Sequence, residues 1–340
     1  MMEDYKLVID NKIEKGFVIS EFIRSFDITF QDSENELKIF FEENKGVSKW
    51  IICSDFVLND KNKPNDVMTF SIIPYIYSFK EYMVKLKDIA PKDIKNCRNI
   101  SNKFIKFFNE FPMLNISIIL SKDRKLDYID EKNTLILKIS NAIEMYDYWK
   151  ITTPEHKELY KESIKNFTIL RNELNKKCPN LRIIRDIDIL ATLTSYLAVR
   201  IVSLSNIKLL SWLPDRDAML SFKKKHISIP FVIDLINSYY YVLCSNSMKT
   251  PFPKIIFDND NQNIWYDELV KIPDLIAGTV ADLDFKNYMH SHKKFLNITN
   301  KILINNKNIK IFKIDFHKNN YSTTTKLDIP DNIITLNKKI

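Results

Sequence analysis

The chain reads as a mixed α/β protein, with one central sheet, helices on both of its faces and a helical insertion between its early and late strands. Three observations predict this. Short apolar runs of strand length occur at 50–53, 67–76 and 116–120, each bounded by polar or turn-forming residues. Residues 139–207 have helical spacing almost throughout. Beyond them the order is strand, helix, strand, helix, which suits a covered mixed sheet.

In chain order, residues 1–47 hold two short strand-like runs, 6–9 and 26–30, and no motif. They predict an N-terminal extension or cap. The core domain is 48–284. Its first strand, Trp50-Ile51-Ile52-Cys53, runs into Ser54-Asp55, and the polar turn NDKNKPND leads to the second, 67–76. The pair predicts an antiparallel hairpin. A lysine-spaced helical stretch covers 79–108, and a third strand is 116–120. Within the insertion, helices are predicted at 140–149, 155–175 and 186–204, the second just after Pro154. A strand at 207–212 enters Pro214-Asp215-Arg216-Asp217. A helix at 230–243, a short strand at 254–257 and a helix at 273–284 complete the domain. Residues 285–340 form a lysine-rich C-terminal segment with one strand, 309–314.

Bulk composition narrows the chemistry. The 340 residues are 45% apolar, enough for a substantial core. No uncharged apolar run reaches the ~18 residues that a transmembrane helix needs. The charged start MMEDYKLVIDNK lacks the apolar run of a secretory signal. Cys53, Cys97, Cys178 and Cys244 stand far apart and form neither a CxxC pair nor a zinc spacing. A cytoplasmic protein without structural disulfides or a membrane partner is expected. The three glycines, Gly16, Gly46 and Gly278, are too few and too scattered for a Walker-A loop or a dinucleotide fingerprint. There is no HExxH helix and no GxSxG elbow. The net charge of +8 is carried entirely by 285–340, which has eleven lysines against three aspartates. A basic end of that kind can meet nucleic-acid phosphate. A composition rich in isoleucine, asparagine and lysine weakens that inference, since lysine is common throughout the chain.

The most informative residues are aspartates at predicted element ends. Asp55 follows the first strand, and Asp215 and Asp217 follow the strand at 207–212. Asp274 begins a helix behind Pro273, where the helix dipole favours its ionised form. On that helix Ile272, Ile276, Val280 and Leu283 form the apolar stripe. Asp274, Gly278 and Ala281 lie opposite, on a face small enough to admit a ligand. Carboxylates gathered at one sheet edge make a hard oxygen site for Mg²⁺ or Mn²⁺. Asp258 and Asp260, in DNDNQN, read as a solvated turn, and Glu144 and Asp147 as solvent-facing.

This order resembles the ribonuclease H-like superfamily: a strand ending in aspartate, a hairpin, a later strand with an aspartate pair, and a closing helix Pro273-Asp274-Leu275-Ile276-Ala277-Gly278. It is most similar to a bacterial family of unknown function found near mobile elements and defence genes. The resemblance spans 48–284. It implies a ribonuclease H-like mixed sheet and a two-metal nuclease acting on RNA or DNA. Asp55 would bridge two Mg²⁺ or Mn²⁺ ions, Asp215 or Asp217 would hold one, and Asp274 the other. The lysine-rich segment would bind the nucleic-acid backbone. The family shows Asp-Glu-Ser-Gly at the first strand, where this chain has Ser54-Asp55-Phe56-Val57. That departure implies an alternative: a non-catalytic subunit that binds nucleic acid or assembles with protein partners.

Overall fold

The computed structural model describes residues 17–90, 97, 99–220, 222–224, 227–229, 231–244, 265–304, 306–329 and 334–335. The expected strands at 6–9 and 254–257, together with Asp258 and Asp260, lie outside these residues.

The first helices of the described residues are α1 (Phe22–Gln31) and α2 (Glu34–Glu43). Strands β1 (Lys49–Val57) and β2 (Asp66–Pro74) follow, then α3 (Phe79–Lys87), α4 (Asn102–Glu110) and β3 (Leu114–Leu120). The insertion is α5 (Glu131–Thr152), α6 (Lys157–Leu174) and α7 (Leu181–Leu204). Strand β4 (Leu209–Pro214), the hairpin β5 (Phe222–Lys224) and β6 (Ile227–Ile229), α8 (Phe231–Leu243) and α9 (Asp267–Asp282) come next. The chain closes with β7 (Leu283–Asp284), β8 (Met289–His290), α10 (Lys293–Ile298), β9 (Ile309–Phe316), β10 (Ser322–Leu327) and β11 (Ile334–Thr335).

Six strands form one mixed sheet in the order β10-β9-β3-β2-β1-β4. β1–β2, β2–β3 and β9–β10 are antiparallel, whereas β1–β4 and β3–β9 are parallel. Side chains alternate across it. Trp50, Ile52, Met68, Phe70 and Ile116 enter a core shared with α1, α2 and α5–α8. Ile51, Cys53, Val67, Ile73 and Leu213 enter a second core shared with α3, α4, α9 and α10. The sheet is therefore covered on both faces, as the alternation along its strands requires.

Four expectations are corrected. Residues 26–30 are helical, because Phe22, Phe26 and Phe30 repeat every four residues and all are buried. Phe26 and Phe30 pack on Tyr196 of α7 and Phe312 of β9, so this segment belongs to the main core and is no separate cap. The described residues of the stretch 79–108 hold two helices, each started by a serine cap, Ser78 and Ser101. Residues 285–340 are no appended tail, because β9 and β10 extend the main sheet beyond β3. Several lysines there are already engaged: Lys310 and Lys326 with Glu36, Lys307 with Glu43, and Lys313 with Asp315.

Helix α7 is long and apolar enough to cross a membrane, but 83% of its apolar window is buried. It is held by a polar knot, where Asp188 accepts from Lys138 (2.7 Å), Ser20 (2.5 Å) and Tyr239 (2.5 Å). This knot ties α7 to α5, to α8 and to the segment before α1.

Candidate functional site

Asp55 lies inside β1, opposite Thr69 of β2, rather than in a turn after the strand. Residues 51, 53 and 55 share one face of the strand, and Ile51 and Cys53 belong to the core under α9. Asp55 thus faces α9, and it is 6% exposed. On β4, Leu213 belongs to the same core, which sets Asp215 on that face by the same alternation. The parallel register pairs Ser54 with Pro214. The Asp215 N–H then donates to the Ser54 carbonyl at 2.7 Å. The ladder so runs one residue past β4 and places Asp215 beside Asp55. On the opposite face, Trp212 Nε1 donates to Ser54 Oγ at 3.0 Å and fastens the two strands.

Asp274 comes to this pair from above. Helix α9 packs across β1, β2 and β3 and is pinned near both ends. Tyr266 Oη donates to the Pro214 carbonyl at 3.0 Å. Asn65, in the β1–β2 turn, donates through Nδ2 to the Val280 (2.9 Å) and Leu283 (2.6 Å) carbonyls, and Lys63 pairs with Asp282 at 2.7 Å. Here the expected helix start fails. Pro273 is inside α9, six residues after its first residue, Asp267. Asp274 therefore gains little from the helix dipole, whose effect is confined to the first turn. Gly278 and Ala281 are buried as well, so the small face serves close packing and is not open to a ligand.

The electrostatics tie the three residues together. Burial pushes the Asp55 carboxyl well above the usual carboxylate range, and the charges of Asp274 and then Asp215 push it further. Asp55 also shares a side-chain hydrogen bond with Asp215, while the Phe56 N–H acts in the opposite direction. Burial and the neighbouring carboxyls both favour the protonated form of Asp55. Asp217 plays a different part. Its Oδ1 accepts from the Met219 N–H at 2.8 Å and caps a turn. Burial raises its carboxyl too, with smaller contributions from Asp186 and Asp215. Glu144 and Asp147 are exposed.

Among the described residues, no group of three or more His, Cys, Asp or Glu side chains is assembled to hold a metal ion. Asp55 feels the charges of Asp274 and Asp215, but the three are not drawn around a common point. Their donor set is all carboxylate oxygen, which fits Mg²⁺ or Mn²⁺. Cys53 adds no soft ligand, since it is fully buried and burial drives its thiol pKa upward.

A second polar cluster sits on the same rim and escaped the sequence reading. Arg124, 1% exposed, donates through Nη1 to Asp66 at 2.7 Å and through Nε to Asp186 at 2.9 Å. Asn59, at φ 59°, donates its N–H to Asp66 at 2.9 Å. One signal was present: the chain has few arginines among its many lysines, and Arg124 follows a strand closely. Tyr266 and Trp212, which position the aspartates, carry no comparable signal. No protein-family model, no curated protein and no solved structure matches the chain.

Proposed function

We propose that the chain is a metal-dependent nuclease that hydrolyses phosphodiester bonds in RNA or DNA. Asp55, Asp215 and Asp274 would hold Mg²⁺ or Mn²⁺. The observation that carries this reading is the register of β1 against β4. It brings together two aspartates 160 residues apart in sequence, on the sheet face that α9 and Asp274 cover. The order in which the chain builds this corner is the order on which the ribonuclease H-like resemblance rests: strand with aspartate, hairpin, later strand with aspartates, closing helix. Asp217 is left out of the metal set, because its carboxylate caps a turn. Asp55, Asp215 and Asp274 would supply hard ligands on elements fastened by the Trp212–Ser54 and Tyr266–Pro214 hydrogen bonds. Bound divalent ions would lower the pKa of a water and stabilise the departing oxygen.

One observation favours a second reading, that of a non-catalytic nucleic-acid-binding or complex-forming subunit. Asp55 is nearly inaccessible and hydrogen-bonded to Asp215, as in a carboxyl pair that holds a proton for structure alone. Cleavage assays separate the two. Labelled single- and double-stranded RNA and DNA are incubated with the protein in Mg²⁺, Mn²⁺ or EDTA. The nuclease reading expects cleavage in Mg²⁺ or Mn²⁺ that falls on the order of a hundredfold or more in D55N and D274N. Undiminished cleavage by both variants would falsify it. Salt-sensitive binding without cleavage in any metal would instead establish the second reading.

A further inference from the structure

We infer that Arg216 grips the phosphodiester backbone of the substrate beside the carboxylates; the inference rests on the nuclease reading for its substrate class. Arg216 stands between Asp215 and Asp217 in the segment that leaves β4. Burial alternates along it: Asp215 and Asp217 are half-buried, whereas Arg216 and Ala218 are exposed. Although two carboxylates flank it, Arg216 makes no ion pair or hydrogen bond among the described residues. Other arginines are committed: Arg124 to Asp66 and Asp186, Arg185 to Glu131, Arg200 to Glu34.

The charge balance calls for such a group. Three carboxylates repel a phosphodiester, and the C-terminal lysines that looked suited to backbone binding are partly tied to Glu36, Glu43 and Asp315. A guanidinium on the rim offers a planar fork of donors that matches two phosphate oxygens and cannot lose its proton. The chain also passes from Arg216 into the antiparallel β5–β6 hairpin, a ribbon outside the main sheet that has Lys223 and Lys224 in its first strand. Arg216 is therefore the first cation of a basic stretch that starts at the carboxylates.

The test measures binding of fluorescently labelled RNA and DNA oligonucleotides over a series of salt concentrations, in Ca²⁺, by anisotropy. R216A should weaken binding roughly tenfold and reduce the slope of log affinity against log salt by about one phosphate contact. R216K should keep the slope and lose part of the affinity, since it keeps the charge and loses the fork. Mn²⁺ binding, followed by calorimetry, should be unchanged in both. Unaltered affinity and slope in R216A would overturn the inference, as would failure of the unmodified protein to bind either nucleic acid. Loss of cleavage in D55N and D274N with unaltered R216A binding would sink this inference and leave the nuclease reading intact. Weakened R216A binding with undiminished D55N and D274N cleavage would do the reverse.

Discussion

Two carboxylate clusters share one rim of the sheet and solve the same electrostatic problem differently. Asp66 and Asp186 are buried around Arg124, whose guanidinium lies between them. Asp55 and Asp215 are side by side with no such cation among the described residues, and Asp215 acts on Asp55 through a side-chain hydrogen bond. The clusters adjoin, since Asp217 feels both Asp186 and Asp215. Burial without a neighbouring cation favours the protonated form of Asp55. In the first cluster the neutralising group is a fixed, buried side chain. In the second, on the proposed nuclease reading, the proton favoured on Asp55 would give way to a metal ion. On that reading, the contrast would put the chemistry at Asp55 and the scaffolding at Arg124.

The largest effect should come from breaking the Arg124 cluster. R124M takes the shared guanidinium from two buried carboxylates, a loss of about 3–5 kcal/mol that urea denaturation would read. Replacing Asp66 and Asp186 by asparagine in the same chain should recover part of it. A cost below about 1 kcal/mol would mean that the guanidinium is no keystone. The Asp55 cluster should respond to metal. Mn²⁺ at a hundred times its dissociation constant should stabilise the protein by about 2.7 kcal/mol, seen as a raised thermal midpoint. The gain should grow with pH, because the metal must displace the proton favoured on Asp55, and D55N should lose most of it. A midpoint indifferent to Mg²⁺ and Mn²⁺ would leave the pair a proton store alone.

The pH dependence without metal has a definite sign. The folded Asp55 pKa is raised, so the folded state binds more protons than the unfolded one. Stability from this group is fully present below the unfolded aspartate value of about 3.9. It is lost as pH rises through the higher folded value. In EDTA, D55N should therefore be more stable than the unmodified chain at neutral pH, by about 1–3 kcal/mol, and the two should converge in acid. Denaturation midpoints across pH check this. A difference between D55N and the unmodified chain that stays constant from acid to neutral would show the proton is not held.

Much of this contrast was legible before the structure, and the part that was not has physical causes. The β1–β2 hairpin, β3, the three insertion helices and β4 follow from local periodicity, and they appear close to where it puts them. Asp55, Asp215 and Asp274 stood out because acids at the ends of apolar runs are unusual. Their joining depends on a parallel register between strands 160 residues apart, which no local pattern encodes. The segment 26–30 was misread because β-branched and aromatic residues favour strand locally, while tertiary burial of Phe22, Phe26 and Phe30 made it a helix. Proline usually opens a helix, so Pro273 hid the turn and a half of α9 that precedes it. The basic C-terminal segment was set apart from the 48–284 domain because charge is visible in sequence and sheet pairing is not.

The smallest effect tests whether the Asp55 cluster is held in place or merely adjacent. Ser54 and Trp212 lie on the sheet face away from Asp55 and Asp215, and their 3.0 Å hydrogen bond is buried. S54A leaves the indole N–H without its acceptor, at a cost of about 1 kcal/mol. W212F with S54A removes both partners, so the polar part of that cost should disappear, leaving the packing change from the smaller ring. The informative readout is Mn²⁺ affinity. If Ser54 and Trp212 set the spacing of Asp55 and Asp215 through the β1–β4 register, S54A should weaken metal binding several-fold, the lower end of what supporting residues around a metal cost. If stability falls but affinity does not, the register is fixed by the backbone ladder alone. The Asp215 N–H to Ser54 carbonyl bond, which no side-chain substitution removes, would then be what keeps the two carboxylates side by side.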